Sequence, residues 1–301
     1  MPTLNHAQKA ILAPVPAQGR YVSFVIRRKA QVGAALARLA SFADGQSVAV
    51  GLGLSLIQAV GAEVPGLREF PDFAGAQVPV PSTPVAVWCW LRGTDRGALL
   101  HTTRQLEALL APAFKRVQVV DAFRHGRPSA AHGRDLTGYE DGTENPEDQA
   151  AEKAALVSRQ GAGMNGSSFV AVLQWQHDLD AFDRMATQAQ DHMIGRRRRD
   201  NVELDDAPPS AHVKRTTQEN FSPPAFVLRR SMPWIDGQRA GLMFVAFGRT
   251  LDAFEAQMRR MAGLDDGVTD ALFQMSRPVT GAYLWCPPVK DGRLDLRQLG
   301  L

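Results

Sequence analysis

The sequence predicts an α+β fold built from two ferredoxin-like (β-α-β-β-α-β) halves, packed as antiparallel sheets with peripheral helices. Three observations carry this prediction. Runs rich in β-branched and aromatic residues alternate with amphipathic helical stretches in the order of the split βαβ unit. The same order then occurs a second time without matching residues, so the duplication is one of topology. A length of 301 residues also corresponds to about two domains. The expected division is residues 1–150 and 151–301.

Residues 1–18 form a lead-in containing Pro and Ala, with no clear periodicity. RYVSFVIRR (20–28) is the first strand, being β-branched and aromatic. AQVGAALARLASFA (30–43) places its apolar residues at helical spacing, and SVAVGLG (47–53) is a second strand. An irregular stretch rich in Pro and Gly follows, up to Pro84. VAVWCWLRG (85–93) is the third strand, RGALLHTTRQLEALLAP (96–112) an amphipathic helix stopped by Pro112, and KRVQVVDAFR (115–124) the fourth strand. In the second half SSFVAVLQW (167–175) is a strand, and DLDAFDRMATQAQDHMI (178–194) reads as one helix with Asp178 as its N-cap. A polar insertion runs on to about Pro224. AFVLRRSM (225–232) and LMFVAFGRT (242–250) are two further strands, LDAFEAQMRRMA (251–262) is a helix ended by Gly263, and VTGAYLWCP (279–287) is the last strand. The linker between the halves, 125–166, is rich in Gly, Asp, Glu and Asn. Long loops in compact domains are usually functional or disordered, so the linker and the insertion are both candidate sites.

The composition, 45% hydrophobic and 22% charged, is that of an ordinary globular protein that needs no disulfide or structural metal. Cys89 and Cys286 sit in apolar, strand-like runs and read as buried free thiols. The N-terminus shows no basic region followed by an apolar stretch, and no run approaches ~18 apolar residues. The expectation is a cytoplasmic protein with no membrane partner. A formal charge of +3 is too small to imply a nucleic-acid partner. The run Arg196 to Arg199 reads as a solvated helix end near its own dipole, with nucleic-acid contact as the alternative.

GYEDGTENP (138–146) gathers Glu140, Asp141, Glu144 and Asn145 between glycines and a proline. By composition it is a solvated turn or a calcium loop, although its spacing departs from the EF-hand pattern. The histidines are His6, His101, His125, His132, His177, His192 and His212. His212 lies in the polar insertion, in DDAPPSAHVKRT; His192, on a helix beside the arginine run, is the rival ligand. His177 and His125 look like loop or helix-end residues. Arg229 and Arg230 are adjacent on a strand and point to opposite faces, so only one can enter a pocket, and Ser231 shares the face of Arg229. Trp175, Trp234, Trp285, Tyr139 and Tyr283 read as packing residues.

GYEDGTENP resembles the signature loop of the dye-decolourising (DyP-type) haem peroxidases over nine consecutive residues. The resemblance extends along nearly the whole chain through SSFVAVLQWQHDLDAF, IGR, AHVKRT, LRRSMPW and PVTGAYLWCPP, in the family's order. The compact length and missing leader resemble the B-type branch. The resemblance implies haem b in the C-terminal half, with His212 as the iron ligand and Asp270 as the acceptor that fixes its tautomer. It implies Asp141 as the distal base, Arg229 as the distal cation, and Ser231 beside them where many B-type sequences carry Asn. Arg196 would meet a haem propionate, and Glu144 and Asn145 would line the haem edge. The activity so implied is reduction of hydrogen peroxide and oxidation of phenolic or dye-like one-electron donors through an oxoferryl intermediate. The alternative is a haem-handling protein with incidental peroxidase activity. Homo-oligomers are common in the family. The last residues, DGRLDLRQLGL, faintly resemble the tails by which some relatives enter encapsulin-type protein shells.

Overall fold

The structure, a computed structural model, describes residues 6–126 and 132–301. The start of the lead-in (1–5) and part of the linker (127–131) lie outside the described residues. After the short helix α1 (Lys9–Leu12), the first half runs β1 (Gln18–Ile26), α2 (Val32–Phe42), β2 (Val48–Leu52), α3 (Leu54–Ala59), β3 (Val87–Gly93), α4 (Arg96–Leu110) and β4 (Phe114–Phe123). The linker carries two-residue strands β5 (Gly133–Arg134) and β6 (Glu140–Asp141), then α5 (Asp148–Ala155). The second half runs β7 (Ser168–His177), α6 (Leu179–Asp183), α7 (Thr187–Ile194), α8 (His212–Thr216), β8 (Leu228–Arg229), β9 (Met232–Asp236), β10 (Arg239–Gly248), α9 (Asp252–Met261), β11 (Ser276–Pro278) and β12 (Ala282–Cys286).

Strands lie in the order β2-β3-β1-β4 in the first half and β12-β7-β10-β9 in the second, every neighbouring pair antiparallel. This is the ferredoxin-like order, twice. The halves join edge to edge at two seams, Ala122 opposite Trp234 and Trp285 opposite Leu52. The eight strands therefore close into a ring.

Alternation along each strand divides the core. On β3, Trp88 and Trp90 face one cluster while Val87, Cys89 and Leu91 face another; on β12, Leu284 and Cys286 face the first while Tyr283 and Trp285 face the second. The first cluster, inside the ring, stacks Tyr21 on Trp88 and Trp90 at 5.9 and 6.0 Å between centroids. Each such aromatic contributes on the order of 2–3 kcal/mol by burial. The second cluster lies outside the ring, beneath α2, α4 and α9.

The sequence reading needs four corrections. The helix expected over 178–194 is two helices. Asp178 caps the first by accepting from the Ala181 N–H, and the buried Gln190 amide reaches back across the break to donate to the Phe182 carbonyl, which also accepts from the Met185 N–H. The strand expected over 225–232 pairs at Leu228–Arg229 and again only from Met232, where β9 begins; β9 and β10 form a hairpin around the turn dipeptide Asp236-Gly237. The strand expected over 279–287 starts later, as β12, while β11 ahead of it pairs separately with β7; between them the Thr280 hydroxyl accepts from the Gln174 N–H. Short helices α3, α5 and α8 lie in stretches read as irregular. In the closing residues, Leu294, Leu296 and Leu299 are buried in the outer core.

Candidate active site

Polar and titratable groups converge on a cavity against the outer face of the second half. Its floor is apolar. Trp175 of β7 and Leu242 and Phe244 of β10 project outward between inward-facing neighbours, and Phe254 and Met258 of α9 meet them. The linker and the insertion, the two long polar segments, close over this floor.

From the insertion, α8 brings His212 to the cavity. Its Nδ1 is 2.8 Å from Asp270 Oδ2, and the Asp270 side chain is fully buried. Asp270 also caps the following 3-10 turn, accepting from the Leu272 N–H at 2.8 Å. Both carboxylate oxygens are thus used, and the carboxylate fixes the imidazole. Among the described residues Nε2 has no partner; His212 lines the cavity and Asp270 does not. The helix itself is held from its far end. Arg215 makes a two-pronged ion pair with Asp266, 2.7 Å on each side, and donates to the Arg260 carbonyl.

Gly195, the C-cap of α7, is the packing condition for this arrangement. Its φ is 92°, and a Cβ there would lie 2.4 Å from Val213, the neighbour of His212. Gly195→Ala combines left-handed strain with a clash. It is expected to destabilise the protein by about 2 kcal/mol or more and to displace His212. Denaturant midpoints would register the first effect, and weakened haem uptake the second.

From the linker comes Asp141, on β6. From β8 comes Arg229, with Nη1 3.4 Å from Asp141 Oδ1 and both side chains about a quarter exposed. Arg229 and Arg230 do point apart: Arg230 instead donates to the Ile11 and Leu12 carbonyls at the end of α1. Burial pushes the Arg230 guanidinium down to about 10.

Asn145 does not line the cavity. Its amide accepts from the Arg229 N–H at 2.8 Å and donates to the Arg229 carbonyl at 3.1 Å, so it clamps the backbone that carries Arg229. Ser231 is also outside the cavity wall; its hydroxyl accepts from the Val245 N–H at 3.4 Å. Glu144 and Arg196 both line the wall. Arg196 holds Glu144 at 2.7 Å and Glu203 at 3.3 Å. Glu203, Gln218 and Glu219 are wall residues the sequence reading did not single out. Gln218 binds the Glu144 carbonyl and the Val227 N–H, tying the insertion to the linker and to β8. His192, the rival ligand, lies outside the cavity wall, near Asp206.

The pair His177–Asp135 is not among the residues expected from the sequence. His177 Nε2 is 3.0 Å from Asp135 Oδ2 and its Nδ1 is 2.7 Å from Ser276 Oγ. Asp135 also accepts from the N–H and hydroxyl of Thr137, and so holds the turn that leads to Asp141. A sequence signal existed, since His177 ends a strand whose alternation aims it outward. Burial alone would raise the Asp135 carboxyl, but the hydrogen bond and charge of His177 and the Thr137 bonds outweigh it and hold it at about 2. Because this is below the ordinary value of 3.8, its stabilising contribution is complete above that value and lost as pH falls toward 2. Protection of the amides in residues 135–141 is expected to fall over that window in the wild type, and to be low at every pH, without that transition, in Asp135→Asn.

Fold and site together place the chain in a class, the duplicated ferredoxin-like proteins with a carboxylate-fixed imidazole in a cavity of the second half. A family model described as Dyp-type peroxidase, C-terminal, matches residues 132–291, more than half of the sequence. The chain belongs to the Dyp-type peroxidase family. A dye-decolorizing peroxidase of Mycolicibacterium paratuberculosis is 28% identical over 229 residues, which cover 74% of this chain but only 63% of that protein. Among solved structures, a dye-decolorizing protein from V. cholerae superposes with a TM-score of 0.82 at 29% identity, covering 97% of this chain and 98% of that one. A variant of DypB from Rhodococcus jostii RHA1 in complex with heme gives 0.83 at 26% identity, covering 92% and 95%.

Among the described residues, no helix is long and apolar enough to cross a membrane. Cys89 and Cys286 are free and buried, and burial pushes both thiols up.

Proposed function

We propose that this chain is a haem-dependent peroxidase that reduces hydrogen peroxide and oxidises phenolic or dye-like one-electron donors. One observation carries the reading: one cavity with an apolar floor is lined both by an imidazole fixed by a buried carboxylate and by an aspartate–arginine pair. The donor set suits haem b. A neutral imidazole with its second nitrogen tied to a carboxylate is the kind of donor that would hold a haem iron, and an apolar floor with a cation beside it would suit the porphyrin and its propionates. Bound there, the haem would supply the electron transfers that reduce peroxide. His212 would hold it through Nε2, Asp270 would keep the ring in its Nδ1–H tautomer, and Arg196 would offer its charge to a propionate.

The remaining chemistry belongs to side chains. Asp141 takes the proton from one peroxide oxygen and returns it to the other, so that water departs. Arg229 stabilises negative charge on the departing oxygen, and Asn145 holds the arginine backbone in place. The B-type assignment rests on the sequence pattern. A reducing, cytoplasmic setting is supported by the two buried unpaired thiols. Haem titration followed by one equivalent of hydrogen peroxide tests the reading. A Soret band that changes within the mixing time supports it; a Soret band that peroxide leaves unchanged points to haem handling instead.

A further inference from the structure

The arginine run after Arg196 plays no part in this chemistry, yet it is not simply solvated. Arg197, Arg198 and Arg199 converge with Arg134 on a surface depression completed by Gly138, Thr187 and Asp191. Asp200 bonds Arg197 and Arg199 through their Nε atoms alone, at 3.0 and 3.2 Å. Among the described residues, the terminal nitrogens of both guanidinium groups have no partner. One carboxylate therefore orients two forks and leaves them open, the geometry that recognises an oxyanion. The other carboxylates nearby are occupied: Asp191 Oδ1 by the Tyr139 hydroxyl and the Arg198 N–H, Glu140 by Arg134. Gly138 lets the chain of Arg198 lie across the turn, since a Cβ there would be 3.2 Å from Arg198 Cδ.

The depression shares a wall with the cavity. Tyr139 is buried and lines the cavity, its hydroxyl donates to Asp191 on the depression side, and the Arg198 guanidinium carbon lies 6.0 Å from its ring. An occupant of the depression would be one aromatic side chain away from the cavity.

We propose that this depression is a docking site for anionic aromatic electron donors, compounds carrying a sulfonate or carboxylate, held by Arg197 and Arg199. The assignment rests on the peroxidase reading for the role of the ligand, though not for its binding. A concave site backed by a tyrosine suits a small anion better than a nucleic-acid backbone, which a row of outward charges would track.

The test titrates naphthalene-1,5-disulfonate into the haem-loaded protein and its Arg197→Gln/Arg199→Gln variant by calorimetry, at low and high salt. Arg199 is the more exposed of the two, at 79% of its side chain against 39% for Arg197, so Arg199→Gln is the least intrusive single change. The expected result is about tenfold weaker binding in the variant, or on adding salt. In turnover, KM for a sulfonated donor rises about tenfold while an uncharged phenol is oxidised as before. Unchanged disulfonate affinity in the variant would overturn the proposal, as would equal changes for both donors. Displacement of the disulfonate by duplex DNA, with the same sensitivity to the variant, would overturn it in favour of a nucleic-acid site. Failure of the wild type to oxidise either donor would instead defeat the peroxidase reading, and the calorimetry would still decide the docking site.

Discussion

His212→Ala is expected to abolish peroxidase turnover, by three orders of magnitude or more, and to remove or shift the Soret band of the haem-loaded protein. The size of the effect follows from the absence of a substitute. His177, the other histidine in the cavity wall, has both ring nitrogens engaged, one by Asp135 and one by Ser276. His192 lies outside the wall. Added imidazole should restore part of the band, because the variant leaves a space beside Asp270 with its carboxylate still in place. Asp270→Asn should be milder, on the order of 10- to 100-fold, since it removes the acceptor that orients the ring but leaves the ring itself. Stopped-flow spectra of the two variants separate these cases. An alanine variant with an unchanged Soret band and unchanged turnover would remove His212 from the site.

The second large effect concerns the pair that faces peroxide. Asp141→Asn and Arg229→Leu are each expected to lower kcat/KM for peroxide by about 10²- to 10⁴-fold while leaving haem uptake intact. The two losses should not add. At 3.4 Å and about a quarter exposed, the groups position each other, and the double variant should be little worse than the poorer single one. Peroxide reaction rates for the four proteins of the cycle measure this. Additive losses would mean that the ion pair has no part in a shared step. Asn145→Ala adds a check from outside the cavity wall: releasing the clamp on the Arg229 backbone should reproduce a fraction of the Arg229→Leu loss.

How far the sequence was legible depended on the kind of interaction involved. Strands such as β3 and β7 were legible because both faces are buried, and their β-branched and aromatic runs need no partner to be recognised. The topology followed from element order. The closing of the ring did not, because each seam is a single residue pair, Ala122 with Trp234 and Trp285 with Leu52, and no local pattern encodes so small a contact. The break between α6 and α7 was equally hidden, since the Gln190 side chain that stabilises it sits at a helix-compatible spacing. At the site, Asp141, Arg229, Glu144, Arg196 and His212 converge on one cavity, and each lies in a motif with distinctive neighbours. Asn145 was placed by its position just after the GYEDG turn, and Ser231 by strand alternation and the family resemblance. The structure turns their polar atoms on backbone groups, a competition that residue type alone does not decide. Asp135 carries no motif at all, and its pairing with His177 across 42 positions is purely tertiary.

The closed ring bears on how this protein can be made and divided. An open ferredoxin-like sheet ends in two edges, and each edge is a row of unpaired backbone donors and acceptors that invites association with other chains. Here the edge strands of one half, β2 and β4, terminate against β12 and β9 of the other, so each half serves as the other's edge protection. The two halves resemble domains in topology, and each is expected to depend on the other for folding. Expressed alone, either one would present two raw edges and half of the aromatic interior to solvent. Co-expressed as fragments, the two should find each other, because the same unpaired edges and exposed aromatics that favour aggregation are complementary across the seams.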